Sequence, residues 1–254
     1  MKKIKLNGIE LAYERRGKGM PLVLIHGYPL DHSIWNETIS QLENDFDLIL
    51  PDVRGFGESS TVDAPYILFD IANDLAALLD SLGVERTTLA GHSMGGYIAL
   101  AFAKAFPERV TGLALVSSQT ASDTPERKEG RYKTAADVSQ KGVQIVADGM
   151  TDKLTPNQSV RDVIRPLIAK QSVAGVTGAL KAMAEREDLT SFLASFGQPL
   201  VLIHGEADEL IPVERAREIK SLVPSAHLVE LRGGGHMPMM EMPVETATAL
   251  KKIK

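Results

Sequence analysis

The sequence predicts an α/β fold: a mostly parallel sheet of about eight strands, with helices on both faces and a helical insertion. Three observations lead there. Short continuous apolar runs recur along the chain, as in strands buried on both faces. Helix-periodic segments lie between most of them, the alternation that parallel pairing requires. One stretch, Ser118 to Phe196, breaks the alternation and carries helical patterns with no strand-like run.

Ile4 to Arg15 alternates around Asn7-Gly8, a dipeptide suited to positive φ, so the chain opens on an antiparallel hairpin. Pro21-Leu22-Val23-Leu24-Ile25 is a buried parallel strand closed by His26-Gly27. Similar runs at Phe46 to Leu50, Thr87 to Ala90, Leu113 to Val116, Leu200 to Ile203 and His227 to Leu231 supply the other strands. Ile34 to Leu42, Ile67 to Leu82, Gly96 to Phe106 and Val213 to Leu222 read as the intervening helices. In the insertion, helices are expected at Glu126 to Lys133, Lys141 to Asp148, Gln158 to Lys170, Ser172 to Glu185 and Leu189 to Ser195. We therefore expect a core of residues 1–117 and 197–254, with residues 118–196 as a helical cap over the carboxyl edge of the sheet. Pro21 to Gly27 is echoed by Pro199 to Gly205. Two strands in the same environment, turning at the same edge, explain the echo, and ligands bind at that edge in open α/β sheets.

Composition sets the outer limits. Hydrophobic residues make up 44% and charged residues 24% of the 254, ordinary for a globular chain. A net charge of −5 gives no footprint for nucleic acid or an anionic membrane surface. No apolar run reaches membrane-spanning length, and none of signal-peptide length follows Met1, so a cytoplasmic location is expected. The absence of cysteine excludes disulfides, thiol nucleophiles and thiolate metal sites.

The chemistry begins at Thr87-Thr88-Leu89-Ala90-Gly91-His92-Ser93-Met94-Gly95-Gly96, a strand, then Gly-x-Ser-x-Gly, then a helix. A sharp strand-to-helix turn strains its central residue and brings the residues two before and two after it together. Glycines at 91 and 95 remove the colliding side chains, and Gly96 lets the helix approach the sheet. Ser93 is then presented at a helix N-terminus, where developing negative charge is favoured. The pentapeptide alone is a weak signal, since an incidental serine in a glycine-rich turn reads the same way. Its setting between strand and helix carries the weight.

A serine hydroxyl needs a base, and the base needs an orienting acid. Of the six histidines, His26 and His204 end buried strands and read as structural. His92 points away if Ser93 is at the apex, His32 reads as a surface residue at a helix start, and His227 begins a strand. His236, in Gly233-Gly234-Gly235-His236 after the last strand, is the candidate base. Asp208, after the strand Leu200 to Ile203, is the candidate acid, with Glu206 and Glu209 as competitors in the same loop. The backbone N–H groups of Tyr28 and Met94 are the candidate oxyanion donors. Leu30, Trp35 and Met237 are candidate pocket residues because they lie near these positions in sequence. The insertion adds Ile145, Met150, Ile164, Leu167 and Met183.

With these residues named, the chain resembles α/β-hydrolase-fold serine hydrolases of the small carboxylesterase, cofactor-free haloperoxidase and enol-lactonase type. The resemblance runs from His26-Gly27-Tyr28-Pro29 through Asp52-Val53-Arg54-Gly55-Phe56-Gly57-Glu58-Ser59 and the Ser93 turn to His204-Gly205-Glu206-Ala207-Asp208 and Gly235-His236. It implies hydrolysis of a small carboxylic ester through an acyl-enzyme, with no cofactor and no metal. Perhydrolysis, or cleavage of an enol-lactone or a carbon–carbon bond, uses the same three residues, and a small-molecule sensor is the reading from another class. The expected partner is a small-molecule ester, with no nucleic acid and no membrane. Asp52 and Arg54 read as members of a local polar network.

Overall fold

The computed structural model describes residues 1–62 and 64–254. Strands β1 (Lys2–Leu6) and β2 (Ile9–Gly17) form the expected hairpin, with Asn7 and Gly8 at φ 48 and 79°. Strands β3 (Met20–Ile25), β4 (Phe46–Pro51), β5 (Thr87–His92), β6 (Val110–Val116), β7 (Leu200–Gly205) and β8 (His227–Leu231) complete one eight-stranded sheet of order β1-β2-β4-β3-β5-β6-β7-β8. β2 is antiparallel to both neighbours, and every pairing from β4 through β8 is parallel. Strands β3 to β7 are nearly all buried, which explains their apolar runs, whereas β8 is mostly half-buried. Full burial of each Leu, Ile or Val of β3 contributes about 1.5–3 kcal/mol.

The chain steps from β3 to β4 on one side and to β5 on the other, so the strand order reverses around β3 and opens a crevice at the carboxyl ends. A 3-10 turn at His32–Trp35, capped by Asp31, leads into α1 (Asn36–Leu42). α2 (Leu68–Ser81) buries Ile71, Leu75, Leu78 and Leu79 at helical spacing, and its first turn is closed by the Asp70 carboxylate accepting the Ile67 N–H at 2.8 Å. α3 (Met94–Ala105) packs on α2.

Between β6 and β7 the chain forms α4 (Pro125–Lys141), α5 (Gln144–Leu154), α6 (Gln158–Ala169), α7 (Val173–Ala184) and α8 (Thr190–Ala194). Two helices depart from expectation. α4 runs to Lys141 rather than Lys133, because Ala135 and Val138 carry its buried stripe one turn further. It stops at Gly142, whose φ of 82° suits glycine. α5 therefore starts at Gln144 and runs past Asp148 to bury Thr151 and Leu154. The remaining helices are α9 (Glu214–Leu222), α10 (Pro238–Glu241) and α11 (Pro243–Leu250), with α11 packed on α1. Among the described residues no helix is long and apolar enough to cross a membrane.

The turn after β4 joins the sheet to the inserted helices. Asp52 Oδ1 accepts the His32 backbone N–H at 2.9 Å and lies 2.7 Å from His32 Nδ1, while Oδ2 accepts the Glu58 N–H at 2.9 Å. His32 is thus half-buried and bonded, not the free surface residue expected. Arg54 forks onto buried Asp74 at 2.6 and 2.7 Å. Gly57 N–H donates to Gln171 Oε1 at 2.9 Å, and Ser172 Oγ donates to Gly55 O at 3.1 Å. Gly175 sits so close to this turn that an added Cβ would lie 1.9 Å from Gly55 O.

Candidate active site

Ser93 lies between β5 and α3 at φ 51° and ψ −114°, a backbone conformation costly for any residue with a side chain. Its neighbours explain how the turn closes. A Cβ on Gly91 would fall 2.2 Å from the Gly95 carbonyl, and one on Gly95 would fall 2.4 Å from Ile25 O. Gly95 therefore lets α3 approach β3. Gly96, expected in that role, instead makes room for Ser118, whose Oγ donates to Ser93 O at 2.8 Å. Ser93 N–H donates to Val116 O at 2.9 Å, which ties the turn to β6.

The loops after β7 and β8 bring Asp208 and His236 together. His236 Nδ1 lies 2.7 Å from Asp208 Oδ2, and both side chains are buried. Asp208 Oδ1 accepts the N–H groups of Leu210 and Ile211, each at 2.9 Å. His204 Nε2 lies 3.3 Å from Asp208 Oδ2 and 2.7 Å from Ile211 O, so this strand-end histidine braces the acid as well as its turn. Burial opposes the charge on Asp208. The His236 imidazole, the hydrogen bonds from His204 and His236 and the Ile211 N–H outweigh it, holding the carboxyl well below the usual carboxylate range. Glu206 and Glu209, the competing acids, are exposed and make no bond to His236.

The His236 backbone is held on both sides. Its N–H donates to Leu154 O at 3.0 Å, at the end of α5, and its carbonyl lies 2.8 Å from His92 Nε2. Glu241 then accepts the N–H groups of Gly235 and Met237. The Gly233 to Gly235 segment is a clamped loop. Sequence reasoning missed these supports: His92 was set aside for pointing away from the apex, and nothing local to Leu154 or Glu241 advertises a contact here. His26 is structural as expected, with Nε2 accepting the Val53 N–H at 3.0 Å.

Ser93 and His236 line one cavity of about 570 Å³, together with Tyr28 and Tyr97. No hydrogen bond within 3.5 Å joins Ser93 Oγ to His236. Such bonds often form only when substrate is present. The N–H groups of Tyr28 and Met94 donate to no acceptor among the described residues; Met94 directly follows Ser93, and Tyr28 lines the same cavity. The arrangement supplies a hydroxyl, an imidazole oriented by a carboxylate, and free amide donors, the set that acyl transfer needs.

The pocket expectations need correction. Leu30, Trp35 and Met237 are fully buried and do not line the cavity. Proximity in sequence misled: the chain after Tyr28 turns inward, Trp35 packs in the core under the 3-10 turn, and Met237 is enclosed at the start of α10. Of the inserted residues, Ile145, Met150 and Met183 do line the cavity, whereas Ile164 and Leu167 are buried elsewhere on α6. A second, apolar cavity of about 440 Å³ lies past Tyr97 and touches neither Ser93 nor His236.

Comparison with known proteins places this geometry in context. The family model described as alpha/beta hydrolase fold matches residues 20–243. The structure is similar to that of a thermophilic esterase from Thermogutta terrifontis, with a TM-score of 0.95 and 34% identity over 99% of this chain and 97% of that one. In sequence, the AB hydrolase superfamily protein YisY of Bacillus subtilis is 28% identical over 90% of this chain and 89% of its own length. The non-heme chloroperoxidase CPO-A1 of Kitasatospora aureofaciens is 26% identical over 91% and 90%.

Proposed function

This chain belongs to the alpha/beta hydrolase fold family, and on that premise we propose that it is a serine hydrolase cleaving small carboxylic esters through an acyl-enzyme. The observation that carries the reading is the buried Asp208–His236 pair at 2.7 Å, facing the same cavity as the strained Ser93 turn. Ser93 Oγ attacks the ester carbonyl while His236 Nε2 takes its proton. Asp208 accepts the Nδ1–H and keeps Nε2 free to act as base. The N–H groups of Tyr28 and Met94 receive the oxyanion, each donor lowering the barrier by about 3 kcal/mol. His236 then protonates the departing alcohol, and a water deprotonated by His236 releases the acid. In this reading residues 118–196 act as a cap that shapes the acyl and alcohol sites.

Similarity to the Thermogutta terrifontis esterase supports the carboxylic-ester assignment. The name of the Kitasatospora relative supports a second reading, in which peroxide replaces water in the last step and yields a peracid. Initial rates on p-nitrophenyl acetate with wild type and Ser93→Ala test the first reading: turnover is expected to vanish in the variant, and unchanged turnover overturns it. Bromination in acetate, peroxide and bromide reports on the second.

A further inference from the structure

The charged side chains lining the catalytic cavity are out of balance. Arg127, Arg131 and Lys153 line it, and Asp137 is the only acidic side chain among its described lining residues. Asp137 is already matched, with Oδ1 3.1 Å from Lys141 Nζ one turn along α4. Arg127 gives one N–H to Leu210 O at 3.2 Å, and neither Arg127 nor Lys153 has a carboxylate within 4.0 Å among the described residues. Nearer the core, Arg131 and Arg186 share the single carboxylate of Asp123, whose side chain is wholly buried. Arg131 is thus matched by Asp123, and the cations of the lining that have no carboxylate partner are Arg127 and Lys153. The chain as a whole carries −5, so this surplus is local and opposes the molecule's general sign.

The same cavity is lined by the apolar side chains of Ile145, Val146, Met150, Leu180 and Met183. A ligand matching this arrangement has a reacting carbonyl at one end, a short apolar spacer and an anion at the other. A guanidinium and an ammonium, both exposed at this cavity, suit a carboxylate through charge-assisted hydrogen bonds and through steering. Resting on the serine-hydrolase reading above, we propose that the site takes anionic esters, with a carboxylate on the acyl or alcohol part remote from the reacting carbonyl, and that Arg127 and Lys153 hold that carboxylate.

Two pairs of esters, each differing only in a terminal carboxylate or methyl group and followed by pH-stat, test this. Monomethyl glutarate against methyl pentanoate places the carboxylate on the acyl side, and 4-acetoxybutyrate against butyl acetate places it on the alcohol side. For at least one pair, kcat/KM is expected to favour the anion by about tenfold at low salt and to lose most of that preference at 0.5 M NaCl as screening sets in. Arg127→Gln combined with Lys153→Gln is expected to cut the preference about fivefold, chiefly through KM. Lys2→Gln combined with Lys252→Gln, which removes an equal charge from exposed residues that do not line the cavity, is expected to leave it. Preferences near one for both pairs, or a preference untouched by the double substitution, overturn the proposal.

A second measurement separates this inference from the hydrolase reading. Calorimetric binding of glutarate to the Ser93→Ala protein needs no turnover and is expected to weaken about fivefold in the added double substitution. Hydrolysis of none of the four esters, with glutarate binding that depends on Arg127 and Lys153, removes the hydrolase reading and leaves the anion site standing. Glutarate binding indifferent to both residues removes the anion site whatever the esters do.

Discussion

His92 Nε2 lies 2.8 Å from the backbone carbonyl oxygen of His236, so the residue beside the candidate nucleophile supports the loop that carries the candidate base. A carbonyl only accepts, so Nε2 carries the proton and Nδ1 is bare, in keeping with the absence of any partner for Nδ1. Burial, with the neighbouring His236, holds the His92 pKa well below the ordinary histidine value, and the ring stays neutral. His92→Ala frees the His236 carbonyl. We expect kcat to fall about ten- to a hundredfold from misplacement of the base, with KM little changed. His92→Gln, whose amide can donate, is expected to recover part of the loss. Equal kcat in all three proteins removes the positioning role.

Ser93 holds φ 51° and ψ −114°, where a Cβ is strained. Ser93→Gly and Ser93→Ala are both expected to lose at least about 10³-fold in kcat/KM. Urea unfolding distinguishes them: the glycine variant is expected to be the more stable by about 1 kcal/mol, because glycine adopts positive φ freely. Equal stabilities would mean that the turn stores no strain at this residue.

Gly95 is expected to tolerate no side chain. An added Cβ would lie 2.4 Å from Ile25 O, a backbone atom that cannot swing away. Gly95→Ala is predicted to cost about 3 kcal/mol, through the displacement of α3 from β3. The shift in denaturation midpoint reads this directly. Gly149→Ala, where nothing lies within 4 Å of an added Cβ, is the matched control.

Asp208→Asn is expected to lower kcat about 10⁴-fold by presenting the wrong tautomer of His236. It also changes stability with pH, and the sign follows from the direction of the shift. The folded carboxyl titrates well below its unfolded counterpart, so its contribution is full above the unfolded value of about 3.9 and declines as pH falls beneath it. The stability gap between wild type and variant is therefore expected to be constant from pH 5 upward and to shrink below pH 4. A gap that widens on acidification contradicts the ionised assignment.

Arg54 and Asp74 join the turn after β4 to α2 through two bonds in a buried setting, and Asn7 Nδ2 adds a third contact to Asp74 at 3.0 Å. Asp74→Ala leaves a guanidinium without its partner. A loss of about 3–5 kcal/mol is expected. A double change to Leu at both positions is expected to recover much of it, since the cost lies in the unpaired charge.

The Ser93 turn could be read from the chain because its constraint is local: two glycines two residues either side of a serine, between a strand and a helix, have few other uses. Strands β3 to β7 were legible for a related reason, since burial on both faces leaves unbroken apolar runs. Asp208 and His236 were legible only as positions at the ends of strands. Their 2.7 Å contact depends on β7 and β8 lying side by side.

What the chain determined by itself was therefore periodicity, turn chemistry and the order of the reacting groups, because these are carried by neighbours in sequence. What only the tertiary structure decided was proximity across the sheet edge. It turned Leu30, Trp35 and Met237 inward, and it set His92, His204, Leu154 and Glu241 around the Asp208–His236 pair. It also brought Arg127, Arg131 and Lys153 to the cavity that Ser93 lines. The His204 and Glu241 contacts are local in sequence, but Asp208 and His236 are 28 positions apart and His92 and His236 are 144 apart, and only the packing of loops and helices at the edge of the sheet brings those within bonding distance.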